Sequence, residues 1–130
     1  MPLVRITMAR GRTPGERAAV AAAVHDALVE TAGVPRDDRF QVVHEVPAED
    51  LVFDAGYLGF SRSPALVVVQ VFLNAGRTVE VKRALYAAIA DKLGRAAAVR
   101  PDDVLVNLVE VARENWSFGG GVMSYPPPAS

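Results

Sequence analysis

The stretch Gly11-Arg12-Thr13 returns 65 positions later as Gly76-Arg77-Thr78, and the same offset lays Asp37-Asp38 on Asp102-Asp103. It also pairs Ala22-Ala23 with Ala87-Ala88, Asp26 with Asp91, Leu28 with Leu93, Val34 with Val99 and Glu45-Val46 with Glu110-Val111. A single register kept over so many residues marks an internal repeat: the chain is one structural unit written twice.

Each copy reads as strand, helix, strand. Leu3 to Met8 is a short apolar strand. Thr13-Pro14-Gly15-Glu16 supplies an N-cap, a proline at the first helical position and a capping-box glutamate. Val20, Ala23, Val24, Ala27, Leu28 and Thr31 then recur as one apolar helix face, which Gly33 and Pro35 end. Phe40 to Val46 is the second strand. In the second copy Leu66 to Leu73 is a strand, Thr78 caps a helix reaching about Arg95, and Val104 to Val111 closes the unit.

The expected organisation is a single domain, with repeat one at 2–46, a linker at 47–64, repeat two at 65–111 and a tail at 112–130. A βαβ crossover makes its strands parallel and puts its helix on one face, with right-handed connection. The predicted fold class is therefore α/β (α+β): two βαβ repeats forming a four-stranded sheet with two helices on one face. Leu66-Val67-Val68-Val69 and Val104 to Val111 offer apolar side chains to both faces, so the face without helices needs a cover. A second copy of the chain is the simplest cover, and an oligomer built around the sheets is expected. The linker from Asp50 to Ser63 is rich in Gly, Asp and Ser but carries Phe53, Tyr57 and Phe60, and is expected to be packed. In the tail, Gly119-Gly120-Gly121 beside the only Trp reads as a hinge next to a large apolar contact. Pro126-Pro127-Pro128 and Ser130 are expected to fray, leaving Tyr125 too near the end to be given a role.

Composition excludes several function classes. Hydrophobic residues make up 51% and charged residues 22%, with a formal net charge of −1, which gives no pull toward nucleic acid. The purely aliphatic run from Ala65 to Val69 is too short for a bilayer, and Arg5 interrupts the first apolar stretch before a signal peptide could form. A cytoplasmic protein without a membrane partner is expected. Without cysteine there is no thiol nucleophile, and His25 and His44 are a poor basis for a metal site.

A proline directly after Met1, followed by two βαβ copies of this length, resembles the tautomerase superfamily. Gly33-Val34-Pro35, Asp38-Arg39-Phe40-Gln41, Val43-His44-Glu45 and Glu114-Asn115-Trp116-Ser117-Phe118-Gly119 resemble its malonate semialdehyde decarboxylase group, up to about Gly121. The resemblance implies a homotrimer with inward-facing sheets and a catalytic amine on the processed N-terminal proline.

Removal of Met1 would expose the secondary amine of Pro2. An α-amino group titrates at about 7.7–8.0; apolar burial favours the neutral base, and a nearby carboxylate favours the cation. By resemblance Asp38 assists that amine or activates a water, although its repeat partner Asp103 points to a structural use of the same position. Asp37 is its immediate neighbour. Arg77, just before the helix cap Thr78, can pair bidentately with a substrate carboxylate while the helix end adds to the field. Arg12 sits identically before Thr13, which points instead to a loop arginine serving the fold. The decarboxylase group carries two arginines in the Arg77 loop, and Ala75 stands at the earlier position. Trp116 and Phe118 resemble the apolar wall of the family's site, where they would bind substrate and exclude water. His25 and His44 read as structural histidines, and Arg39 as a surface or interface partner.

The expected protein is a small enzyme with neither metal nor cofactor, acting on a small oxo-carboxylate. Keto–enol tautomerisation asks least of these residues. Decarboxylation of malonate semialdehyde, hydration of an acetylenic acid and iminium formation with an aldehyde are alternatives within the same chemistry. A non-enzymatic trimeric binding protein is the alternative from another class.

Overall fold

Thr13 and Thr78 start the two helices alike, each in an extended conformation with its hydroxyl accepting the amide N–H three residues on, from Glu16 and from Val81. At Thr13 the Glu16 carboxylate also takes the cap's own N–H at 2.8 Å, completing the capping box. The computed structural model describes residues 2–129. Its elements are β1 (Leu3–Ala9), α1 (Pro14–Ala32), β2 (Gln41–Val46), β3 (Val67–Asn74), α2 (Val79–Ala97) and β4 (Val104–Val111), with 3-10 turns at Ala48–Asp50, Tyr57–Gly59, Pro101–Asp103 and Arg113–Asn115.

Both helices also end alike. Gly33 (φ 71) and Ala98 (φ 54), again 65 apart, are left-handed caps whose N–H groups reach back to the carbonyls of Leu28 and Leu93. The second helix runs to Ala97, past the expected Arg95, because the left-handed turn comes there even without a glycine.

β1 and β2 pair in parallel, as do β3 and β4, while the two halves meet through an antiparallel β1–β3 pair, giving the order β2-β1-β3-β4. The helices pack side by side over one face. Val4, Ile6 and Met8 of β1 and Val67, Val69, Val71 and Leu73 of β3 meet Val20, Val24, Ala27 and Leu28 of α1 and Leu85, Ile89 and Leu93 of α2 in the core. Alternation sends the other residues to the opposite face. There Leu3, Val68, Phe72 and Val109 are half-buried and Val42 and Leu105 are exposed, with Arg5, Gln70 and Asn107 side by side across the middle of the sheet. Among the described residues no helix is long and apolar enough to cross a membrane.

Two expectations need correction. Phe40 precedes β2 and does not belong to it; its carbonyl accepts the Val4 N–H, but its ring turns to the tail, 5.5 Å from Phe118. The linker is ordered but buries its aromatic rings only in part: Phe53 is half-buried, whereas Tyr57 is 66% exposed and Phe60 45%, with Val52 and Leu58 also open. Hydrogen bonds to the backbone hold the rest. Arg62 reaches the carbonyls of Asp54 and Tyr57, while Ser61 and Ser63 are pinned by Asp102 and Asp103.

Candidate active site

The amino end of β1 and the carboxyl ends of β3 and β4 lie at the same end of the sheet, because β1 runs antiparallel to β3 and β4 runs parallel to it. Ligands of open α/β sheets gather beyond the carboxyl ends of strands. Here three loops converge: Gly33 to Phe40 after α1, Ala75 to Thr78 before α2, and the start of the tail. They enclose a cavity of about 350 Å³ lined by Gly33, Val34, Pro35, Asp38, Asn74, Ala75, Gly76, Arg77 and Arg113. Two shallower hollows continue it, one lined by Pro35, Asp37, Asp38, Phe40, Phe118 and Tyr125, the other by Leu3, Phe40, Trp116, Ser117 and Phe118.

Pro2 is buried, on the same face of β1 as Val4, Ile6 and Met8. Leu3 pairs with Phe72, so continuing the register places Pro2 level with Leu73, one residue short of the cavity-lining Asn74. Removal of Met1 concerns a residue outside those described.

Asp38 is half-buried, and its N–H donates to the Pro35 carbonyl in the turn that leads into β2. Its repeat partner Asp103 is fully buried and accepts the N–H and hydroxyl of Ser63 at 2.7 and 2.6 Å, with Arg100 at 3.4 Å. Equivalent positions thus have different surroundings: Asp103 fastens the linker in front of β3, whereas Asp38 faces the cavity.

Arg77 is positioned by the fold. Its Nε and Nη2 donate to the Ala32 carbonyl at 3.1 and 2.9 Å, capping the end of α1, and Nη1 donates to the Asn74 carbonyl at 3.3 Å. A guanidinium has five N–H donors, so among the described residues these three bonds leave it two for a ligand. Arg12, its repeat partner, instead bonds the carbonyl of Ala65.

Trp116 and Phe118 are stacked at 5.1 Å, Phe118 meets Phe40, and Tyr125 packs edge-on against Phe118 at 6.0 Å. The tail doubles back to allow this: Gly120 and Gly121 take positive φ, the Ser124 N–H donates to the Trp116 carbonyl, and the Phe118 N–H to the Ser124 hydroxyl. Tyr125 therefore belongs to the wall of the site and is not a frayed end. Arg113 lies 5.0 Å over the Tyr125 ring. Sequence reasoning missed Arg113, Tyr125 and Asn74; the one available signal was that Arg113 directly follows the last strand, where site loops collect.

His25 is buried and its Nε2 donates to the Arg36 carbonyl at 2.7 Å, which is a structural role. His44 lies on the open sheet face, 3.5 Å from the Arg5 guanidinium. Arg39, exposed, donates to Gln41. Among the described residues no group of three or more His, Asp or Glu is arranged to hold a metal ion.

Comparison with known proteins gives one consistent family. A family model described as tautomerase enzyme matches residues 38–119, and a second with the same description matches residues 2–60. The probable tautomerase YusQ of Bacillus subtilis (strain 168) is 34% identical over 93% of this chain and 95% of its own. A malonate semialdehyde decarboxylase inhibited by 3-bromopropiolate superposes with a TM-score of 0.89 at 41% identity, covering 95% of this chain and 93% of that one. A fused 4-OT, a symmetric trimer, follows with a TM-score of 0.77 at 30% identity, covering 94% of this chain and 95% of that one.

Proposed function

Because this chain belongs to the tautomerase family, we propose that it is a proline-dependent enzyme that interconverts the keto and enol forms of a small oxo-carboxylate. Support comes chiefly from one placement: buried Pro2 stands at the strand end that adjoins a cavity holding Asp38 and Arg77. Once Met1 is removed, the secondary amine takes a proton from the carbon beside the carbonyl and returns it to the oxygen. Arg77, anchored on two backbone carbonyls, offers its remaining N–H groups to the substrate carboxylate without having to be ordered first. Trp116 and Phe118 exclude water on one side, which strengthens these charges.

Burial favours the neutral amine, as do the positive charges of Arg77 and Arg113; Asp38 opposes them. Tautomerisation by this route uses the neutral amine as its base. Activity should therefore rise with pH through the amine's ionisation to a plateau. Loss of activity on deprotonation at high pH would instead select decarboxylation or hydration. That second reading draws on the likeness to the malonate semialdehyde decarboxylase and on Arg113, which brings a second cation to a cavity where position 75 is alanine.

The open sheet face, apolar around its Arg5-Gln70-Asn107 row, is covered in this proposal by two further copies in a homotrimer, and the similar fused 4-OT is a symmetric trimer. Native mass should give three chains, and Leu105→Lys should shift it toward one.

The deciding experiment compares rates with phenylenolpyruvate and malonate semialdehyde for the native protein and Pro2→Ala, after intact mass has established that both have lost Met1. Equal rates would remove Pro2 from the mechanism.

A further inference from the structure

We infer that Arg113 is a second anion contact of this site, making the cavity selective for short ligands with two anionic ends, one for Arg77 and one for Arg113. Arg113 shares the cavity wall with Arg77, from the loop that follows the neighbouring parallel strand. The Tyr125 ring lies over its guanidinium at 5.0 Å, and among the described residues no hydrogen bond or ion pair engages the Arg113 guanidinium. A cation on an aromatic face keeps its in-plane N–H groups for another acceptor. The ring thus orients the guanidinium while leaving its donors to a ligand. Tyr125 is itself held by Phe118, so the folded tail carries this contact as a unit. Arg77 has two donors left after its backbone bonds, enough for one carboxylate. A second carboxylate, or an enolate oxygen formed from the oxo group, would go to Arg113. Such a ligand brings two negative charges to two guanidiniums. Position 75, alanine here, then has no need to supply the second cation.

This inference rests on the proposed reading of the cavity as the substrate site, but its test is separable. Malonate, with two carboxylates, and propionate, with one, are titrated calorimetrically into the native protein, Arg113→Gln and Arg113→Lys. The native protein should favour malonate by about tenfold or more, as a charge-assisted bidentate contact gives. Arg113→Gln should remove most of that preference with little change in propionate affinity, and Arg113→Lys should restore part of it. A purely structural Arg113 would weaken both ligands together and leave their ratio unchanged. An unchanged ratio, or a native protein that does not favour malonate, overturns the inference even where Pro2→Ala abolishes turnover. A ratio that collapses in Arg113→Gln upholds it even where Pro2→Ala remains active.

Discussion

Trp116 donates its indole N–H to the side-chain oxygen of Asn74 across 2.6 Å, tying the tail to the end of β3. Asn74 is only 8% exposed, so its amide oxygen depends on that donor, and the same residue's carbonyl accepts Arg77. One bond therefore links the aromatic wall to the loop that holds the guanidinium.

Trp116→Phe preserves a ring against Phe118 but leaves the Asn74 oxygen without its donor. A buried polar atom left unpaired costs about 1–3 kcal/mol. The urea midpoint should fall accordingly, and the Michaelis constant should rise because tail and loop are no longer held together.

The repeat-related aspartates should separate stability from catalysis. Asp103→Ala removes a fully buried carboxylate, leaves the Ser63 N–H and hydroxyl without their acceptor, and should cost about 1–3 kcal/mol. Asp38→Asn keeps the shape of a half-buried cavity residue, and under the proposed mechanism it should lower turnover far more than it lowers the unfolding midpoint. The reverse pattern would assign Asp38 to the fold.

Ala98→Gly should stabilise the protein. Ala98 holds a left-handed conformation that its repeat partner Gly33 adopts freely, and its strain outweighs the extra chain entropy of glycine by about 0.5–1 kcal/mol. Equilibrium unfolding of the single variant tests this directly.

Two carboxyls tie stability to acid pH. Backbone and side-chain hydrogen bonds from Thr13 hold Glu16 below its ordinary value of 4.5. The hydrogen bond and charge of Lys82 do the same for Glu110. A lowered folded-state value means that the contribution is complete above 4.5 and is lost as pH falls through the lowered value. Glu16→Gln and Glu110→Gln should show a stability deficit at neutral pH that shrinks as pH falls below 4.5; a deficit independent of pH would assign it to shape and not charge.

Much of the local structure was legible because it is written in short-range chemistry. Thr13 with Glu16 and Thr78 before Val81 mark helix starts wherever they occur, and the spacing of Val20, Val24, Ala27 and Leu28 defines a buried stripe. The repeat even carries its ion pairs, Arg17 with Glu45 and Lys82 with Glu110. The places of Phe40, Tyr57, Phe60 and Tyr125 are not legible in the sequence because their surroundings are built by distant segments. Phe40 leaves the strand for a ring 78 positions away, as the Phe40–Phe118 contact records.

For this protein the amino-acid sequence alone determined two βαβ units, their caps and their apolar faces, since each depends on neighbours within a few turns of chain. It also placed a proline at the entry to β1. Only the tertiary structure decided that β1 meets β3 antiparallel, which brings the start of one half to the carboxyl ends of the other. That pairing puts Pro2 beside the Arg77 loop, leaves Asp38 facing a cavity while Asp103 is buried under the linker, and admits Arg113 to the same wall. These are long-range relationships, fixed by packing the two halves on one core, and no local pattern of residues encodes them.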